Sequence, residues 1–326
     1  MASPNYPTGF TQGVTIRGVP INIAHPGQVF WVNNSSVLSP FGGRGGSNGN
    51  DGSYRSPFST IDYAIGACTA GRGDIIMVMP GHAETLTAAA AIALDVDGVC
   101  IYGLGSGANR PTLTYTTANT ASLSWTADYC SIKNIRFVGN FLSIAAPILN
   151  SGGAYWTVED CSFRDTDATH GFLSCVTTTV STNSDGGVFN NNMRYSDATT
   201  TPGTALKVAN TTRGLEIGRN RFIHSVAENN VAAVLAHGAL VVDDLWLHDN
   251  KVYSVNTDTA TGGILVTTSA TTGSGIIENN NIRALDVAAA ILVTATAVQY
   301  GMFNILYTGE TSLASGFVLP AIATDA

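Results

Sequence analysis

Apolar and polar positions recur along this chain in a six-residue pattern: apolar, two free positions, Asn, one free position, apolar. It reads Val188-x-x-Asn191-x-Met193, Ile217-x-x-Asn220-x-Phe222, Leu247-x-x-Asn250-x-Val252 and Ile277-x-x-Asn280-x-Ile282. Outward copies replace the Asn: Ile132/Ile135/Phe137, Val158/Cys161/Phe163 and Met302/Ile305/Tyr307. The fourth positions of all seven copies lie 26, 30, 29, 30, 30 and 25 residues apart. A period in this range predicts stacked coils, each too small to bury its own apolar face alone. Coils of about 25–31 residues hold three short strands and three turns. Alternation within Ala239 to Tyr253 puts Leu240, Val242, Leu245, Leu247 and Val252 on the inward side.

The repeated Asn predicts a corner. Asn adopts the left-handed backbone conformation at low cost. Its amide can also donate to and accept from its counterpart one coil away, as a ladder. Asn191, Asn220, Asn250 and Asn280 are therefore expected to be structural.

Non-repeating segments divide the rest. Residues 1–41 hold two strand-like runs, Val14 to Ile23 and Gln28 to Val32, and read as an N-terminal arm. Residues 42–73 form a Gly-rich connector followed by a capping helix over 58–70. Phe58, Ile61, Ile65 and Cys68 recur at helical spacing there, and Ser59-Thr60-Ile61-Asp62 resembles a capping box with Asp in the Glu place. The connector lacks the Lys of a phosphate loop. Residues 74–310 carry the coils, and the apolar tail 311–326 is expected to cap the last one or dock elsewhere.

The run 51–86, DGSYRSPFSTIDYAIGACTAGRGDIIMVMPGHAETL, resembles the opening of many right-handed parallel β-helix domains. Its marks are an Asp-Gly turn, a Pro-Phe-x-Thr-Ile helix, a Gly-Asp strand and a Pro-Gly-x-x-Glu turn, although His82-Ala83 stands where an aromatic is frequent. The resemblance implies an all-β, right-handed parallel β-helix solenoid with an extended arm and one helix as its cap. Together with residues 8–32, TGFTQGVTIRGVPINIAHPGQVFWV, the chain resembles virion-associated β-helix proteins of tailed bacteriophages. That likeness implies a virion location after synthesis in host cytoplasm.

Charge narrows the partners. Only 12% of residues are charged and the net charge is −8, which argues against nucleic acid, whose phosphates call for clustered Lys and Arg. No apolar run approaches membrane-spanning length. Residues Met1 to Gln12 lack the basic and apolar regions of a secretory signal. Cys68, Cys100, Cys130, Cys161 and Cys175 form no C-x-x-C pair and read as small buried hydrophobes.

Chemistry is sparse. Glycoside hydrolysis needs two carboxylates facing each other across a groove. Asp165, Asp167 and His170 form the best acidic cluster, but a polar loop explains them more simply. The 15 Lys and Arg residues show no cluster beside acids. No catalytic residue, cofactor or metal is expected. The chain reads as a non-enzymatic structural protein. It would decorate or cement a phage capsid through its arm and apolar C-terminus, with the major capsid protein and its own copies, as a homotrimer, for partners. The alternative is a tailspike or receptor-binding protein that binds or cleaves host surface polysaccharide, with Trp125, Trp156 and Trp246 as candidate sugar-stacking aromatics.

Overall fold

A computed structural model describes residues 14–16, 19–21, 27–35, 45–179, 185–196, 203–209, 211–224, 234–237, 242–254, 263–268, 273–284, 289–293, 298–300, 304–308 and 316–317. The chain is a right-handed parallel β-helix, as the resemblance at residues 51–86 implies, and its coils stack as the repeat predicts. Each full coil contributes one strand to each of three parallel sheets. The first sheet runs from Val29–Val32 and Ile75–Val78 through Val188–Asn190 and Glu216–Gly218 to Val298–Tyr300. The second runs from Ala83–Leu86 through Ser162–Asp165, Met193–Ser196 and Lys251–Ser254 to Ile305–Thr308. The third runs from Ile92–Leu94 to Ala289–Val293.

Both ends are covered by non-repeating segments. Val29–Val32, which the sequence places in the arm, is the first rung and pairs parallel with Ile75–Val78. Gly316–Phe317 doubles back antiparallel on Ile305–Leu306, occupying an edge that would otherwise offer unpaired backbone groups. Residues Val318 and Leu319, expected to dock, lie outside the described residues.

The cap is a shorter helix than predicted, Ile61–Gly66, burying Ile61, Ala64 and Ile65. Thr60 is its N-cap and accepts from the Tyr63 N–H at 3.4 Å. Asp62 takes no part in a capping box. Its carboxylate accepts from the Ala93 N–H at 2.9 Å and ties the helix to the third sheet. The acid at the helix end comes from the body instead: Glu84 accepts from the Ile61 N–H at 3.1 Å.

Buried Asp74 fastens three segments. It accepts from Arg72 Nε and Nη2 at 2.7 Å, from the Thr69 N–H at 2.8 Å and from the Gln28 N–H at 2.6 Å. Burial pushes its carboxyl up, but the Arg72 side chain and the two N–H groups outweigh this and hold it below 3.8. A depressed folded-state value stabilises fully above the unfolded pKa and is lost as pH falls through the folded one. Asp74→Asn is therefore expected to cost about 2 kcal/mol at neutral pH. The variant should also lose less stability than the parent on acidification below about pH 4, read by denaturant titration.

Cys130, Cys161 and Cys175 are buried, Cys68 and Cys100 are half-buried, and all five are free thiols. Burial pushes Cys161 up to about 12 and Cys130 up to about 11, so these thiols are protonated and inert at neutral pH.

The corner between the first and second sheets divides its two tasks between successive residues. Left-handed backbone is adopted by Asn134, Asp160, Asn191, Arg219, Asp249 and Asn279, with φ between 52° and 57°. The next residue points inward. Asn192, Asn220, Asn250, Asn280 and Asn304 are all buried. Each Oδ1 from Asn192 onward accepts the backbone N–H of the preceding coil's corner, beginning with Cys161 N–H to Asn192 at 2.8 Å. Each Nδ2 donates to a carbonyl of the preceding coil, and from Asn220 to Asn304 the amides also bond one another at 2.9–3.0 Å.

Asn191 is therefore not a ladder residue: it is exposed on the corner, and Asn192 takes the place assigned to it. Asn304, rather than Ile305, holds the last place. The steps between ladder residues are 28, 30, 30 and 24. Three consecutive asparagines, Asn190-Asn191-Asn192, conceal a one-residue slip. Phe189 decides it, since it pairs with Val158 and Ile217 inside the core. A slip of one residue reverses every side chain of the strand. Met193 accordingly faces solvent, and Arg194 enters the inward column between Phe163 and Phe222.

Candidate functional site

The polar cluster created by that slip is sealed. Arg194 is fully buried and donates through Nη2 to the Phe172 carbonyl at 2.7 Å and through Nη1 to Cys175 Sγ at 3.3 Å. Its Nη2 lies 4.0 Å from the buried Asp165 carboxylate, which accepts from the Phe172 N–H and the Ser196 hydroxyl. A Cβ at Gly203 would collide with the guanidinium, and one at Gly171 with the carboxylate. Asp165 is thus separated from the other members of the sequence cluster. Asp167 is exposed and His170 half-buried in a loop, where Asp167 accepts from the Thr169 and His170 N–H groups and from His170 Nδ1. Those bonds, led by the Thr169 N–H, hold the Asp167 carboxyl far below the usual range. This is a self-satisfied turn and not a paired-acid site.

Two of the three candidate tryptophans are core. Trp125 and Trp156 are each 1% exposed and meet edge to face with centroids 6.5 Å apart. Trp125 Nε1 donates to the Ala127 carbonyl at 2.9 Å. Trp125 shares strand parity with buried Leu123, so both point inward. Neither can stack on a sugar.

Trp246 is different. It is 44% exposed between buried Leu245 and Leu247, on the outer face of the first sheet. Its ring lies over that of His248, centroids 3.8 Å apart and 21° from parallel. Its Nε1 donates to Glu278 Oε1, one coil on, at 3.2 Å. One coil back, Glu216 accepts from Asn190 Nδ2 at 2.6 Å and approaches His248 Nε2 at 3.4 Å. The other ring nitrogen, Nδ1, sits 2.8 Å from Asp249. His248 is buried under this arrangement, with a carboxylate at each nitrogen. Its hydrogen bond, ahead of the opposing effect of burial, holds the Asp249 carboxyl below the usual range. Gly218 leaves the room: a Cβ there would strike the His248 ring. Around Trp246 lies an open groove of about 430 Å³, lined also by Glu216, Asp244, Ile276 and Glu278.

An aromatic pair that the sequence reading did not single out lies on the corner leading into the first sheet. Tyr129 and Tyr155, 65% and 51% exposed, stack with centroids 4.7 Å apart and 2° from parallel. Both have left-handed backbone, and Gly186 holds the equivalent place on the next coil, under the Tyr155 ring. Tyr155 is thus covered by Tyr129 on one face and by Gly186 on the other, and the pair forms a short side-chain ladder along this corner.

No family model matches the chain, and no curated protein matches it by sequence. Two solved structures are similar. One is a pectate lyase, Pel9A, at 12% identity and TM-score 0.45, covering 83% of this chain and 78% of that one. The other is a rhamnogalacturonan lyase, at 10% identity and TM-score 0.40, covering 79% of this chain and 70% of that one. Likenesses this distant add nothing to what the strand pairing itself shows.

Proposed function

We propose that this chain is a non-cleaving carbohydrate-binding β-helix that holds a polysaccharide in the groove around Trp246. The observation that carries the reading is the exposed indole with hydrogen-bonding carboxylates on the coils before and after it, Glu216 and Glu278. Sugar recognition asks for an aromatic face against the C–H face of a pyranose and for fixed acceptors facing its hydroxyls. His248 supports the indole from below, and Asp249 and Glu216 fix the imidazole. The acids serve here as acceptors, since each already bonds a neighbouring side chain.

The sequence resemblance at residues 8–32 and 51–86 supplies the setting, a phage particle meeting a cell surface. Between the two expected roles, capsid decoration and polysaccharide recognition, the groove favours the second. Screening wild type and Trp246→Ala against a panel of bacterial surface polysaccharides tests it, with released oligosaccharides measured in parallel. We expect binding without product release, weakened about tenfold or more in the variant. Equal binding by the variant would reject the groove, and product release would reject the non-cleaving role.

A further inference from the structure

The second sheet presents a different surface. Its outward positions, aligned by strand pairing, read Arg136, Ser162, Met193, Arg221, Lys251 and Asn281 in one column. The neighbouring column reads Val138, Arg164, Tyr195, Ile223, Tyr253 and Arg283. Five cations thus share one face of a chain whose net charge is −8. Among the described residues, no carboxylate stands within 4.0 Å of any of them. Arg164 and Arg283 lie over Tyr195 and Tyr253, 5.7 and 5.3 Å from the ring centroids. Burial, and then the fields of Arg110 and Arg164, hold the Arg136 guanidinium below its ordinary value, so the fold gathers like charges without neutralising them. An open groove of about 450 Å³ runs between Arg221, Lys251, Tyr253, Asn281 and Arg283.

We infer that this face is a second binding site, for a linear anionic polysaccharide bearing carboxylate or sulfate groups. Arg221 and Lys251 are direct neighbours on successive coils, about 4.8 Å apart, and Arg283 stands on the next coil in the adjacent column, lying over Tyr253 beside Lys251. That rise is close to the length of one pyranose unit, so a chain lying along the helix axis would bring one acidic group to each cation. Tyr253 supplies the apolar contact beside them, and Asn281 a donor and acceptor for hydroxyls. Nucleic acid fits less well. Its dense phosphates call for a wider basic surface than this strip, and the remaining carboxylates of the molecule repel it at long range. The strip lies on a different sheet from the Trp246 groove and is independent of it.

Calorimetric titration of the full chain with an oligouronate, chondroitin sulfate and neutral dextran tests the assignment, beside Arg221→Gln/Lys251→Gln/Arg283→Gln and Trp246→Ala. All three cations are exposed, so the triple variant should keep its melting temperature. Wild type should bind at least one acidic glycan and not dextran, and preference between the two names the acidic group. The triple variant should bind about tenfold or more weakly, while Trp246→Ala should retain the acidic ligand. Raising salt from about 0.05 M to about 0.5 M should weaken wild-type binding, a readout that holds even if the triple variant misfolds. Failure of both acidic glycans to bind, equal binding by the folded triple variant, or tighter binding of a single-stranded oligonucleotide would each overturn the assignment.

Discussion

Asn250→Leu should destabilise the protein by about 3 kcal/mol or more, read by urea titration, whereas Asn191→Gly should leave stability nearly unchanged. The Asn250 amide accepts from the Asn220 N–H and Nδ2, and donates to the Ile217 carbonyl and to Asn280 Oδ1. Leucine removes all four bonds and strands buried groups on both neighbouring coils, where no water can reach them. Asn191 makes one long side-chain contact, to Glu159 at 3.4 Å, and its backbone at φ 54° suits glycine as well as asparagine. The two substitutions change the same residue type in the same repeated corner, so the contrast between them isolates burial in the ladder.

Asp165→Ala should cost about 3–5 kcal/mol, because it leaves the Arg194 guanidinium buried opposite no anion. Arg194→Met alone should also destabilise, by exposing the converse imbalance. The double variant Asp165→Ala/Arg194→Met should recover most of the loss, since a methionine suits a column formed by Phe163 and Phe222. Thermal unfolding of the four proteins checks this. Losses that simply add would show that the two groups act independently.

The repeat and hence the architecture were readable because one coil's corner recurs at nearly constant spacing. What could not be read was register wherever coil length changes by a residue. Asn190-Asn191-Asn192 offers three equivalent choices, and the apolar Val188 and Met193 favour the wrong one. The core accepts Phe189 instead and takes Arg194 with it. Asp165 then looked like a partner of Asp167, although its side chain points the other way.

The tryptophans show the same dependence on parity. Trp246 stands between Leu245 and Leu247, both inward residues, so its outward position was available from alternation alone. Trp125 shares parity with Leu123, which marks it as core. The basic face was hidden for another reason. Its cations are scattered along the chain and fall into line only when coils are aligned on the ladder, each within three residues of an inward Asn or its equivalent. The helix cap was located by its apolar spacing, but its acid arrives from Glu84, which no local motif could supply.

The proposed sugar contact is centred on Trp246. Of the four tryptophans, Trp125 and Trp156 are buried, and Trp31 packs half-buried against Tyr54 on the first rung, far along the sheet from Trp246, so the Trp246 indole should dominate any change in intrinsic fluorescence on ligand addition. An emission titration with fragments of the polysaccharide selected by screening, comparing wild type with Trp246→Phe, tests this directly. Wild type should show a saturable emission change that Trp246→Phe abolishes. The same change persisting in the variant would contradict that contact.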